Sequence, residues 1–264
     1  MSAFPFTSLA HLTDLHIRAS GESAYRRVDT DAYLRRSVAM LTGLAPRPDA
    51  VVVTGNLTDF GQDDAYAHLA GLLAPLDMPC YLLPGSHDDR AAMRRALRGH
   101  AYLGEGPFVQ YAADVGELRL VAVDTCTAGE SHGSLCHDRL QWLSDALDAA
   151  GERPVVLAMH HPPFQSYVNV ADRPALLHGV DELEALVESH PNIERIVCGH
   201  LHQAVTTLFG GVVAMSAPAP AQSMRLDGED PRLAQWDVKP PAFLVHTVPG
   251  TGRMVSHTVS SARL

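Results

Sequence analysis

Lysine is nearly absent from this chain: Lys239 is the only one among 264 residues, and the remaining positive charge sits on scattered arginines. With 20 Lys and Arg against 30 Asp and Glu, the formal net charge is -10. A nucleic-acid surface needs a basic field to displace the counterions around phosphates, so that class of partner is excluded and a small substrate is expected. Also missing is any uninterrupted apolar run near the ~20 residues of a membrane helix. Met1–Phe6 lacks a basic segment leading into an apolar stretch, so no membrane partner and a cytoplasmic location are expected. Cys80, Cys126, Cys136 and Cys198 show no C-x-x-C spacing, and buried free thiols are their expected state.

What is present is an ordinary globular composition, with 46% hydrophobic and 19% charged residues, enough for a core and without the bias of a disordered chain. A single domain over 1–264 is expected. Short apolar or β-branched runs mark strands at Leu9–Leu12, Ala50–Thr54, Cys80–Leu83, Leu118–Val123, Val155–Met159, Ile193–Cys198, Val212–Ser216 and Phe243–Thr247. Helical periodicity covers Thr30–Leu44, Ala65–Leu76, Asp89–Leu97, Asp138–Ala149 and Asp181–Glu188, several opening on Asp or Thr as N-caps. The alternation is α/β. The later strands follow one another with little helix between them, which predicts a sandwich whose second sheet is more antiparallel. Ala217–Pro241 has no period and reads as a long loop, either a lid, a homo-oligomer contact or irregular packing.

The 15 histidines carry the chemistry through their placement. Asp14-Leu15-His16 follows the first strand, Thr54-Gly55-Asn56 closes the second, and Pro84-Gly85-Ser86-His87-Asp88 follows the third. His160-His161 and then Cys198-Gly199-His200-Leu201-His202 close two later strands. Strand ends of an α/β sheet converge on one rim, so these residues can meet in a single cleft. Residues two apart on an extended segment share a face, so Asp14 and His16 can grip one ion, while His200 and His202 can divide between neighbouring ions. Carboxylate oxygen with imidazole nitrogen suits Mn, Fe, Co or Zn and not calcium. Singly, Asp-x-His or Gly-His-x-His is equally consistent with a satisfied structural pair. Five such ends in a fixed order point to a metal centre.

The order D-x-H, G-D, G-N-H-D/E, H, G-H-x-H from Asp14 to His202 resembles the calcineurin-like metallophosphoesterases. His160-His161-Pro162-Pro163, 48–61 and 81–90 look like the bacterial branch of glycerophosphodiesterases and class III cyclic-nucleotide phosphodiesterases. The resemblance implies a four-layer α-β-β-α sandwich with mixed sheets and two divalent metal ions. One ion would be held by Asp14, His16, His202 and Asn56, the other by His160, His200, Ser86 and Asn56. A small phosphodiester, either a glycerophosphodiester or a 3',5'-cyclic nucleotide, would be hydrolysed by a metal-bound hydroxide. His87, matching the G-N-H histidine, would stabilise charge or protonate the leaving oxygen, and Arg18 is a candidate substrate contact.

Two positions depart from that pattern. Asn56 stands where the family has a bridging aspartate, and Ser86 where it has an asparagine. Removing a carboxylate from between two dications ~3.5–4 Å apart leaves their repulsion less compensated, so a weak second site and impaired turnover are expected. A phosphate-ester-binding protein with little turnover, or a monoesterase, are the alternatives. Asp59 is expected to lie off the rim as a turn or cap residue, Asp63, Asp64, Asp88 and Asp89 to lead into helices, and His161 to turn away from the metals as a buried hydrogen-bonding group.

Overall fold

The computed structural model describes residues 6–24, 28–167, 175–225, 236–249 and 253–261, and every strand expected from an apolar run is present there. The first sheet contains β1 (Phe6–Leu12), β2 (Ala50–Thr54), β3 (Cys80–Leu83), β14 (Ala242–Pro249) and β15 (Val255–Ser260) in the order β15-β14-β1-β2-β3. The second contains β4 (Tyr111–Val115), β5 (Leu118–Ala122), β7 (Val155–Ala158), β9 (Ile193–Cys198), β10 (Val205–Phe209) and β11 (Val212–Ser216) in the order β10-β11-β9-β7-β5-β4. Both are mixed: β1, β2 and β3 run parallel, with β14 antiparallel to β1 and β15 antiparallel to β14, and β5, β7, β9 and β11 run parallel between antiparallel β4 and β10. The expected excess of antiparallel pairing in the second sheet is therefore absent, because the last two strands return to the first sheet.

Period-2 alternation explains the layers. Leu120, Ala122, Val156, Ala158 and Val197 join the core that runs through β1–β3 to the helices α1 (Thr30–Thr42), α2 (Asp63–Leu73) and α3 (Arg90–Ala96). Their neighbours Val121, Val155, Leu157 and Ile196 face the other way, onto Leu143 and Leu147 of α4 (His137–Asp148) and Leu183 and Val187 of α5 (Val180–Ser189). The result is the four-layer α-β-β-α sandwich. Asp29 and Asp89 cap α1 and α3 by accepting from Ala32 N and Ala92 N. Asp63 and Asp64 fall in the first turn of α2, as read from the sequence.

The edge strands β4, β10 and β15 were not legible as apolar runs. β10 and β15 alternate or are largely exposed, so their pairing comes from tertiary hydrogen bonding. At the opposite edge, the Tyr102 hydroxyl accepts from Leu82 N at 2.9 Å and donates to Cys80 O at 3.0 Å, and the Tyr111 hydroxyl donates to Leu82 O at 3.0 Å. Two short ladders complete the described chain: β6 (Gly133–Ser134) with β8 (Leu176–His178), and β12 (Gln222–Met224) with β13 (Trp236–Val238). The second corrects the reading of 217–241 as a structureless loop, since Gln222–Met224 and Trp236–Val238 form an antiparallel pair; 226–235 lie outside the described residues. All four cysteines are free; Cys126 and Cys198 are buried, Cys80 is half-buried, and Cys136 is exposed rather than buried.

Candidate metal centre

Each candidate ligand follows the carboxyl end of a parallel strand: Asp14 and His16 after β1, Asn56 after β2, Ser86 and His87 after β3, His160 after β7, and His200 and His202 after β9. The local geometry is not the extended one expected from the spacing. Asp14, His16, Asn56, His200 and His202 all have positive φ, between 47° and 70°. The left-handed region costs an L-residue about 1–2 kcal/mol, and such strain persists where the surroundings over-determine it. Here the loops after β1 and β2 interlock through Asp14 N to Gly55 O (3.0 Å), His16 N to Asn56 O (2.9 Å) and Ile17 N to Leu57 O (3.1 Å). At Gly199 a Cβ would stand 2.0 Å from Thr13 Oγ1 and 2.8 Å from Thr54 O, so only glycine lets the loop after β9 cross these two.

The side chains gather into adjoining clusters. In the first, His16 Nε2 lies 3.3 Å from His202 Nε2, and Asp14 Oδ1 lies 4.0 Å from the former and 3.5 Å from the latter. His16 turns its Nδ1 to Asp59 Oδ1 at 3.3 Å, and His202 turns its Nδ1 to the Gln222 carbonyl at 3.2 Å. Each Nδ1 faces an acceptor, an arrangement that turns the two Nε2 atoms toward one another beside a carboxylate. Three donors about 2.1 Å from a tetrahedral ion stand about 3.4 Å apart, which these spacings approach. A divalent cation fits this donor set.

The second cluster brings together His160, His161 and His200, with one nitrogen of each within 4.8 Å of the others. His160 Nδ1 donates to the Thr54 carbonyl at 2.7 Å, while its Nε2 is buried without a partner among the described residues. An orphaned lone pair of that kind also fits a metal. His161 does not turn away as strand alternation predicted, because β7 ends at Ala158 and the chain bends through His160 and His161.

Asp14 couples the clusters, its Oδ2 accepting from His200 N at 2.8 Å and from Thr13 Oγ1 at 2.8 Å. Burial pushes its carboxyl up, but His202, His160, His16 and His200 outweigh this and hold it well below the ordinary carboxylate range. Burial lowers His160 and His202 to about 4 against the opposing pull of Asp14, so both rings are neutral donors near pH 7.

Asn56 has both ends of its amide engaged. Nδ2 donates to Asp14 Oδ1 at 2.9 Å, and Oδ1 accepts from His87 N at 3.1 Å and Ser86 Oγ at 3.5 Å. His87, 40% exposed, meets the Asp59 carbonyl through Nδ1 at 2.9 Å and sets its ring edge-on to His16 at 4.8 Å. Asp59 is buried behind His16, not removed from the rim; Leu57 and Thr58, between it and Asn56, return along the first loop, with Ile17 bridged to Thr58. Arg18 pairs with Glu22 at 2.9 Å and lies over the Phe60 ring at 4.8 Å, and neither contact joins it to the clusters. Asp88 straps the loops after β2 and β3, accepting from Leu57 N, Thr58 N, Gly85 N and Tyr66 Oη.

Sequence reading missed Thr13, Thr54 and Thr125, which hold Asp14, His160 and His161 through hydroxyl or carbonyl oxygens, and Trp236, whose ring stands edge-on to His202 at 4.8 Å. Hydroxyl residues beside strand ends carry no signal of their own, and Trp236 arrives from 34 residues further along the chain.

The calcineurin-like phosphoesterase family profile matches residues 7–204. The chain belongs to that family. It is 35% identical over 240 residues to the glycerophosphodiester phosphodiesterase GpdQ of Enterobacter lignolyticus, covering 90% of this chain and 86% of that one. It is 30% identical over 211 residues to the 3',5'-cyclic adenosine monophosphate phosphodiesterase CpdA of Pseudomonas aeruginosa, covering 80% and 75%. A dimetal phosphatase from Danio rerio shares the fold with a TM-score of 0.67 at 15% identity over 97% of each chain. Calcineurin-like phosphoesterases use divalent metals, and the clusters described above are this chain's candidate ligands for them. Among the described residues, no helix is long and apolar enough to cross a membrane.

Proposed function

We propose that this calcineurin-like phosphoesterase hydrolyses small phosphodiesters, either glycerophosphodiesters or 3',5'-cyclic nucleotides, at a two-ion centre in which the second ion is weakly held. The reading is carried by the facing Nε2 nitrogens of His16 and His202 beside Asp14 Oδ1, 3.3–4.0 Å apart. Asp14, His16 and His202 hold the first ion; His160 and His200 serve the second, with Asn56 and Ser86 beside them. Bound divalent ions supply an activated water and neutralise charge on the phosphoryl oxygens. His87 stands half-exposed beside His16 with Nδ1 held at the Asp59 carbonyl, which leaves Nε2 to carry the proton given to the leaving-group oxygen. Arg18, engaged by Glu22 and Phe60, has no assigned part in binding the substrate.

The engaged Asn56 amide supports impairment, since its oxygen already accepts two hydrogen bonds and its nitrogen is given to Asp14. The same observation favours a second reading, a member that binds phosphate esters with little turnover. Hydrolysis of an aryl phosphodiester in the presence of Mn or Co separates the two. Measurable turnover that rises when Asn56→Asp and Ser86→Asn are combined supports the impaired diesterase. No hydrolysis by either protein, with metal bound, leaves the binding reading.

A further inference from the structure

We infer that His161 is a metal ligand, and that with His160 and His200 it makes the second ion site a three-imidazole site that substitutes for the shell weakened at Asn56 and Ser86. The inference rests on the metal-centre reading above and adds to it a ligand that the family pattern does not supply. Its basis is spatial. One nitrogen from each of the three rings lies within 4.8 Å of the other two. The rings are mutually close, with centroids 4.7 Å apart for His160 and His161, 5.2 Å for His161 and His200 and 5.4 Å for His160 and His200.

Two further observations point to a ligand. His160 and His161 are completely buried, and the Nε2 atom of each lacks a hydrogen-bond partner among the described residues. Leaving one polar nitrogen unpaired on each of two neighbouring buried rings is costly unless something else engages them. The other nitrogen of each ring is already held, His160 Nδ1 by the Thr54 carbonyl at 2.7 Å and His161 Nδ1 by Thr125 Oγ1 at 2.8 Å. Thr125 Oγ1 also accepts from the His161 backbone N–H at 3.2 Å, which fixes where the ring starts. Metal-ligating imidazoles are oriented in this way, by a bond from the nitrogen that does not bind the ion. Gly133 seals the outer face, since a Cβ there would come within 2.5 Å of the His161 ring.

The shell so formed is neutral, in contrast to the first cluster with its Asp14 carboxylate. Three imidazoles select borderline ions such as Zn and Co over Mg or Mn. Nitrogens bound at about 2.1 Å to one ion stand about 3.4 Å apart, so the three rings draw inward by roughly an ångström on loading. The Ser131 carbonyl also interacts with the His161 ring and is the competitor an ion must displace.

The test uses the full chain, stripped with chelator and titrated with Zn or Co, with bound ions counted per chain. For the wild type, two ions are expected, one tighter than the other. His161→Gln should lower the affinity of the second ion at least tenfold and leave the first unchanged, whereas His16→Gln should remove the first. Equal affinity of the second ion in wild type and His161→Gln would overturn the ligand assignment and leave the nitrogen to Ser131. A wild type that binds one ion, lost in His16→Gln but untouched in His161→Gln, also overturns it. A wild type that binds none would sink the metal-centre reading and this inference together. Should His161→Gln not fold, the long-range proton–nitrogen spectrum of the wild type decides: the His161 ring nitrogen must shift on adding Zn, and an unmoved resonance rejects the proposal.

Discussion

Replacing Asn56 with aspartate is the sharpest probe of this site, because its effect reverses sign with metal. In the metal-free chain, Asn56 Nδ2 donates to Asp14 Oδ1 at 2.9 Å. The Asn56→Asp change turns this contact into two carboxylate oxygens at the same separation. Their repulsion is about 1.4 kcal/mol at the dielectric constant of water and about 6 kcal/mol at an effective value of 20, with about 1 kcal/mol more from the lost hydrogen bond. A shared proton limits the upper figure, so a loss of roughly 2–5 kcal/mol is expected. At about 2–4 °C per kcal/mol for a chain of this size, the Tm in chelator should fall by roughly 4–20 °C. Added Mn or Co removes the repulsion, so the variant must gain more stability from metal than the wild type does. Thermal unfolding of both proteins, in chelator and across a metal titration, gives the four values needed. Equal Tm values in chelator would refute the reasoning, since they would mean that Asn56 and Asp14 are not in contact.

Asp59→Ala should weaken binding of the first ion about 10–100-fold by freeing the His16 ring, while leaving the second ion unaffected, as read by metal titration; unchanged affinity for both would show that Asp59 does not orient His16. Gly199→Ala has no room beside Thr13 and Thr54, so it should cost at least ~3 kcal/mol in denaturant unfolding, and a neutral result would contradict the crossing described for this loop. Burial lowers His11 to about 3 against the raising effect of Asp14. The unfolded chain then takes up a proton below pH ~6.5 that the folded chain refuses, so this stability is complete above that pH and is lost as pH falls. Between pH 7 and pH 4.5 the difference in unfolding free energy between wild type and His11→Asn should shrink by roughly 2–3 kcal/mol. A difference that stays constant over that range would remove His11 as the cause.

The parts legible in the sequence were those written locally. Strands β1, β2, β3, β5, β7, β9, β11 and β14 announce themselves as apolar runs, and Asp14, His16, Asn56, Ser86, His160, His200 and His202 stand at their ends in a fixed order. The conformation behind the spacing was not legible. Asp14 and His16 come together through left-handed residues locked to the neighbouring loop, not through an extended strand, and nothing in Asp-Leu-His distinguishes the two. His161 is buried and hydrogen-bonded as expected, but alternation does not continue past the end of β7 at Ala158, and its ring joins those of His160 and His200. Asp59 was misjudged because its approach to His16 depends on the bridge between Ile17 and Thr58, a contact between loops rather than within one. Trp236 reaches His202 only through the pairing of β13 with β12, which depends on a partner outside its own segment.

The tyrosine hydroxyls along β3 have an implication for self-association. An outermost strand offers its open amides and carbonyls to any passing extended peptide, including another copy of the same chain. Tyr102 and Tyr111 already occupy the Cys80 and Leu82 groups on that side, so a newcomer finds no register to extend. Phenylalanine at both positions would uncover this margin, and the cost would appear as a tendency to aggregate during refolding more than as lost hydrolysis.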